Sequence, residues 1–387
     1  MRTWNIMIFM AVLAMIAGAL TAQQDSAFLL APRLVRDPSG TETHAARYRK
    51  FTGIPSLSVS PEGRLWATWY AGKTPAEDQN NYVVIATSRD HGVTWEEVLA
   101  IDPDGPGPVR AFDPQTWIDP DGKLWFFWAQ SIDNEEATWF GGVNAGVWAL
   151  TASDAELAAP DWSAPRRLTD GIMMGKPIVL SSGEWVLPAS TWRTENGARM
   201  VVSGDRGKSW SIRGAVNVPE EVWDCDEHMI IERKDGSLWM LVRTKYGIGK
   251  SSSDDRGGTW TPLMPSSIRH PTARFFIRRL SSGNLLLVKH GPVDMRTGRS
   301  HLMAFVSQDE GHTWSGGLLL DERPGVSYPD GQQAGNDTIR IIYDFSRTGE
   351  QHILMTSFGE ADVIPCDDNK MLEVFRRRRM VSNAGDH

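Results

Sequence analysis

One eight-residue pattern, Ser-x-Asp-x-Gly-x-Thr/Ser-Trp, occurs four times in this chain, at 88–95, 203–210, 253–260 and 307–314. A chain that repeats a turn this closely builds the same local structure each time. The aspartate (Asp90, Asp205, Asp255, Asp309) accepts backbone hydrogen bonds within the turn, the glycine two residues on adopts a φ that a side chain would oppose, and the tryptophan packs beneath. Each copy therefore reads as a tight hairpin. Successive aspartates are 115, 50 and 54 residues apart, so the first interval has room for one degenerate unit, around 150–153 and 160–162.

A second periodic element supports that count. A turn leading into an apolar strand appears at 61–66, 120–125, 182–185, 234–239, 282–286 and 335–339, six units about 47 to 61 residues apart. Short strands with Gly-rich turns at this period mean a β-propeller, because a single blade cannot bury its own faces and must stack on its neighbours. The fold expected is all-β, a six-bladed propeller of four-stranded antiparallel blades with no long helix. The 17 tryptophans suit packing between blades better than service as sugar platforms.

The first two dozen residues stand apart. Arg2 precedes an apolar run from Ile6 to Ala17, then the small residues Gly18, Ala19, Thr21 and Ala22. This is the layout of a secretory signal peptide over 1–22, with the propeller over 23–380 and a tail over 381–387. No cysteine lies near the exit to carry a lipoprotein anchor, and no second apolar span follows. The expectation is export to the periplasm or the medium without membrane insertion.

A net charge of −8 disfavours nucleic acid as a partner. An anionic substrate would need a local arginine cluster. The basic run 376–379 reads as a solvated tail or the edge of a final strand. Cys225 and Cys366 could pair in an oxidising compartment or remain separate thiols, and neither sits in a cluster with metal-ligand spacing. Oligomeric state is not legible.

The repeated motif closely resembles the Asp-boxes of the sialidase superfamily, and the resemblance covers nearly all of the mature chain as a fold. The boxes are structural, so the chemistry lies elsewhere. What the resemblance implies is a site over the central axis: an arginine triad on the substrate carboxylate, a tyrosine nucleophile activated by a glutamate, and an aspartate acid/base. The segment 227–243 resembles the stretch from that glutamate to the second triad arginine, which assigns the roles to Glu227 and Arg243. The segment 328–344 looks like the last blade, with Tyr328 as nucleophile and Asp344 as the acidic partner where the family usually has Glu. For the third triad arginine, Arg299 fits by spacing, with Arg296 and Arg274 competing. The acid/base falls on Asp78, with Glu77 as runner-up. The departure is in the first blade. Sialidases carry Arg-Ile-Pro there, whereas this chain has Gly53-Ile54-Pro55. Arg47, Arg49 or Lys50 could reach in from the preceding segment, or Gly53 could open space for a different sugar.

The function implied is a secreted exo-glycosidase acting on an acidic glycan through Tyr328, Glu227 and Asp78, without metal or organic cofactor. A neutral tyrosine does not repel a substrate carboxylate beside the anomeric carbon, which a carboxylate nucleophile would. The chain also resembles uronate-active propellers, namely polysaccharide lyases and rhamnose–glucuronate hydrolases, in which Tyr328, His44, His228, His270 or His290 would supply a base. A third reading, a non-catalytic glycan-binding propeller, is opposed by the retention of Tyr328, Glu227 and Arg243.

Overall fold

The computed structural model describes residues 26–132, 145–364 and 368–385. The signal peptide expected over 1–22 and the Cys366 thiol lie outside the described residues, and Cys225 forms no disulfide with any of them.

Six antiparallel sheets follow one another along the chain as six blades. Blade 1 comprises Phe51–Val59, Leu65–Gly72, Tyr82–Ser88 and Glu96–Asp102, with Arg33–Arg36 added at its outer edge. Blade 2 comprises Val109–Ile118, Leu124–Ile132, Ala145–Ala152 and Arg166–Asp170. In blade 3 the inner position is split, since Ile172–Met173 and Ile178–Val179 both pair with Trp185–Ser190, before Ala198–Ser203 and Ser211–Val216. Blades 4 and 5 begin at His228–Glu232 and Phe276–Arg279, and blade 6 runs from Val326–Gln333 through Ile339–Phe345 and His352–Phe358 to Arg379–Asn383. The first strands of the blades touch one another around the axis. Phe51–Val59 is accordingly buried throughout its length.

The two sequence repeats fall at fixed places in this plan. The six turns join the first and second strands, and glycines 63, 122, 183, 236 and 283 hold φ between 82° and 93° there. The four boxes join the third and fourth strands. In the first box Asp90 Oδ1 accepts from Ser88 Oγ at 2.8 Å and from the Thr94 amide at 2.9 Å, while Oδ2 accepts from Thr94 Oγ1 at 2.6 Å. The Thr94 hydroxyl, then its amide, bring the Asp90 carboxyl down to about 2.

The box glycines also form the seams between blades. A Cβ on Gly92 would lie 2.5 Å from Met355, on Gly207 3.0 Å from Trp125, on Gly257 2.2 Å from Met200, and on Gly311 2.6 Å from Trp239. In each case the neighbour belongs to the preceding blade, with blade 6 preceding blade 1. The motif therefore shapes a turn and admits the adjacent blade at one position.

The ring closes through its inner strands. Gln332 exchanges two 3.0 Å bonds with the Val59 backbone, and Asp344 Oδ2 accepts from the Ile54 amide at 2.8 Å. At the axis, buried Asp330 accepts from Ser56 Oγ at 2.6 Å and the Leu57 amide at 3.0 Å, and pairs with Lys176 at 2.8 Å and Arg274 at 3.1 Å. One carboxylate thus joins blades 1, 3, 5 and 6.

The tail boundary set at residue 380 requires correction. Arg379–Asn383 is the outer strand of blade 6, paired with His352–Phe358, and Val381 and Ser382 are buried. The propeller continues to Asn383 because those backbone groups complete a ladder. The basic run 376–379 spans the end of a nine-residue helix, Asp368–Arg376, and the start of that strand. Among the described residues no helix is long and apolar enough to cross a membrane.

Candidate active site

Three inner strands lose register at a residue followed by proline: Ile54 in blade 1, Asp113 in blade 2 and Tyr328 in blade 6. Their φ values are 58°, 49° and 51°. A non-glycine residue is rarely left-handed, and proline disfavours a helical conformation before it, so the surrounding fold must impose these bulges. A bulge releases its residue from the in-out alternation of the strand. In blade 6 that residue is Tyr328.

The Tyr328 hydroxyl accepts from Arg243 Nη1 at 3.2 Å, and the same nitrogen donates to Glu227 Oε1 at 2.7 Å. Arg243 and Glu227 reach this point together because they end adjacent strands of blade 4, where the Arg243 amide donates to the Glu227 carbonyl at 2.6 Å. The other edge of the Arg243 guanidinium meets Asp224, Nη2 to Oδ2 at 2.8 Å, and Thr272 hydrogen-bonds the same Asp224 oxygen. Glu227 Oε2 is buried and accepts from no side chain or backbone group among the described residues. Burial, then the negative charge of Glu227, raises the Tyr328 phenol far above its ordinary range, with Arg243, Arg299 and Arg347 opposing the shift. The phenol is neutral at physiological pH.

Two more guanidinium groups flank the ring. The Arg299 Cζ lies 5.5 Å from the Tyr328 ring centroid and the Arg347 Cζ 5.1 Å from it. Arg299 is anchored by the Thr272 carbonyl at 3.2 Å and the Ser327 hydroxyl at 3.5 Å. Arg347 Nη1 donates to Glu77 Oε1 at 3.0 Å. On the far side of Glu77, 3.9 Å from its second oxygen, is Arg110, a 1% exposed residue whose three guanidinium nitrogens have no hydrogen-bond partner among the described residues. Asp113 stands in the same region. Burial, followed by the negative charges of Glu77 and Glu227, pushes its carboxyl well above the usual range, with Arg110 and Arg274 opposing the shift.

Of the residues selected from the sequence, Tyr328, Glu227, Arg243 and Arg299 converge in space. Asp344 lies beneath them, bonded to the Ile54 amide and 3.9 Å from Arg347 Nε. Arg274 does not join the cluster around Tyr328. It is fully buried at the axis, bonded to Gln115 and Asp330. Asp78 is engaged by its own loop, its Oδ1 accepting from the Asn80 amide at 2.8 Å and its Oδ2 from Thr74 Oγ1 at 2.5 Å. Its neighbour Glu77 is the carboxylate that reaches the arginines. Arg296 bonds the Lys245 carbonyl on the surface, Arg47 stacks on Tyr48, Lys50 is exposed, and Arg49 is held by Glu97 and the His44 carbonyl. None of the last three supplies the guanidinium missing at position 53.

The four imidazoles are tied to the scaffold. His44 pairs with Asp102 at 2.8 Å, His228 with the Arg199 carbonyl at 2.8 Å, His290 with the Ser300 carbonyl at 3.2 Å, and His270 accepts from the His290 amide at 3.2 Å. Sequence reading missed Arg347, Arg110, Asp113, Asp224 and Thr272. Asp113 did carry a signal, since Asp113-Pro114 repeats the residue-proline pattern of Ile54-Pro55 and Tyr328-Pro329.

Residues 108–341, more than half of the chain, match the family model of the BNR repeat-like domain. The chain belongs to that family and, with it, to the sialidase superfamily. A sialidase of Clostridium perfringens is 24% identical over 242 residues, 56% of this chain and 62% of that protein, so the chain spans about three-fifths of the relative's length. The Hadza microbial sialidase Hz136 is similar with a TM-score of 0.66 and 20% identity, over 82% of this chain and 68% of that one. The intramolecular trans-sialidase of Ruminococcus gnavus matches with a TM-score of 0.60 and 14% identity, over 86% and 98% of the two chains. At these identities the structural likeness is one of fold.

Proposed function

We propose that the chain is an exported, retaining exo-glycosidase that releases acidic sugars from glycans, with Tyr328 as nucleophile and Glu227 as its base. The observation that carries this reading is the single guanidinium nitrogen of Arg243 that touches both Glu227 and Tyr328. It brings the nucleophile and its base together and places a fixed positive charge beside them. Tyr328 Oη attacks the anomeric carbon as its proton passes to Glu227, so no phenolate need exist beforehand. The glycosidic bond breaks, and its leaving oxygen takes a proton from the acid/base. In the second half the acid/base removes a proton from water, the water oxygen displaces Tyr328, and Glu227 returns the phenol proton. Arg243 and Arg299 hold the sugar's acidic group. The acid/base assigned is Glu77 rather than Asp78, because Glu77 extends to the arginines around Tyr328 whereas both Asp78 oxygens are engaged within its own loop.

Product analysis on a panel of sialosides and uronic-acid glycans tests this reading. Release of the free sugar with retained anomeric configuration is the expected result, together with labelling of Tyr328 by a fluorosugar. An unsaturated uronate, seen by its ultraviolet absorbance and accompanied by no adduct, would overturn hydrolysis in favour of elimination.

A further inference from the structure

Blade 1 offers no side chain at position 53, and its surroundings leave no room for one. A Cβ on Gly53 would lie 2.3 Å from Arg347 Cδ, 2.5 Å from its Cγ and 3.1 Å from Asp344 Oδ2. Gly53 is not among the left-handed residues, so its backbone does not demand glycine. The requirement is steric, and the group that imposes it is the stem of Arg347, which enters from the last blade.

Arg347 is fixed in that seat at both ends. Its carbonyl accepts from the Thr52 amide at 2.9 Å, and its guanidinium donates to Glu77 at 3.0 Å. Among the described residues this is the only side-chain hydrogen bond Arg347 makes, which leaves most of its N–H groups available. Its side chain is 23% exposed, whereas that of Arg243 is 6% exposed. The chain as a whole carries a net charge of −8, so binding an anion beside Tyr328 calls on the local guanidinium groups of Arg243, Arg299 and Arg347.

We infer that Arg347, seated in the space left by Gly53, is a third carboxylate-binding arginine of this site. It follows that Gly53 and Arg347 are a coupled pair, in which one blade omits a side chain so that another blade can supply the cation. This inference rests on the acidic-sugar reading of the previous subsection. The rival role for Arg347 is purely architectural, as a cation that ties Glu77 and Asp344 together.

Calorimetric binding to the full chain separates the two roles. The probes are N-acetylneuraminic acid and glucuronic acid, each beside its carboxamide, which keeps the size and removes the charge. The parent should prefer at least one acid to its amide. Arg347→Met should weaken that acid roughly 10- to 100-fold, the worth of one charge-assisted hydrogen bond, with amide binding changed by less than about twofold. Arg347→Lys should fall between the two, since it keeps the charge and loses the planar fork. The exchange variant Gly53→Arg with Arg347→Gly should recover preference for the acid. Thermal unfolding establishes that each variant is folded, and Arg347→Met decides the matter if the exchange variant is not. Loss of acid and amide binding alike, or of neither, would assign Arg347 to architecture and leave the acidic-sugar reading intact. A parent that does not distinguish acids from amides would remove that reading and this inference together.

Discussion

Glu77 and Arg347 meet across the seam between the first and last blades, Oε1 to Nη1 at 3.0 Å, although they stand 270 positions apart in the sequence. The contact distinguishes two adjacent carboxylates. Glu77 faces the arginines around Tyr328, and Asp78 holds its own turn. Glu77→Gln should therefore lower kcat by roughly 10²- to 10⁴-fold on substrates with poor leaving groups. The loss should be much smaller with activated aryl glycosides, which need no proton on departure. Asp78→Asn should cost about 1 kcal/mol of stability, typical of one lost hydrogen bond, and leave kcat/KM within a few-fold. The opposite ranking of the two variants returns the role to Asp78.

Tyr328→Phe removes the attacking oxygen and keeps the ring. The Arg299 and Arg347 guanidinium groups still have an aromatic face to rest on, at 5.5 and 5.1 Å. The unfolding temperature should barely change. Turnover should drop by roughly a thousandfold or more, about 4 kcal/mol of barrier, and the fluorosugar label should disappear. A variant that retains parent turnover excludes Tyr328 as the nucleophile.

What was legible in the sequence followed from how local the chemistry is. A box forms from eight consecutive residues, so its Ser, Asp, Gly and Trp can be read in order. Glu227 and Arg243 were legible for the same reason, because one hairpin returns both to one end of blade 4. The last blade likewise delivers Tyr328 and Asp344 from a single strand pair. Arg347 was not legible, because its seat is defined by Gly53 at the opposite end of the chain. Arg274 was read as a candidate for the clamp because sequence cannot separate the rim of a propeller from its axis. Sequence favoured Asp78 over Glu77 because one residue of register in a loop decides which of two adjacent carboxylates faces the arginines, and here it is Glu77 that does.

The box glycines carry a stability prediction that does not touch the chemistry. Gly311 has φ +87°, and an added Cβ would lie 2.6 Å from Trp239 Cζ3 in the preceding blade. Gly311→Ala should destabilise the fold by roughly 1–3 kcal/mol, the usual cost of overpacking a well-packed contact, as measured by urea unfolding. Gly236→Ala is the control. It too is left-handed, at φ +85°, but a Cβ there meets nothing within 4 Å. It should suffer the backbone penalty alone and lose less. Equal losses in the two variants would refute the seam as the reason for glycine in the boxes.

Acid should destabilise the protein partly through one buried imidazole. Burial holds His228 down at about 4, and its Nε2 donates to the Arg199 carbonyl at 2.8 Å, so the ring is neutral in the fold. In the unfolded chain a histidine titrates near 6.5. Between those values the unfolded chain binds a proton that the native state does not. The stability from this group is therefore complete above about pH 6.5 and is lost as pH falls towards 4, by roughly 3 kcal/mol at most. Asp226, two residues earlier, acts in the opposite sense. Burial raises its carboxyl to about 6, so its contribution is present at low pH and is lost as pH rises from about 3.8 to 6. The two partly cancel in the parent, which makes the parent's own pH profile a poor test. His228→Gln, which preserves a donor for the Arg199 carbonyl, removes one side of the balance. The stability difference between parent and variant should shrink or reverse as pH is lowered from 7 to 4, and Asp226→Asn should steepen the parent's loss over the same range. A parent-to-variant difference that stays constant with pH would mean that His228 takes up a proton in the fold as readily as in the unfolded chain.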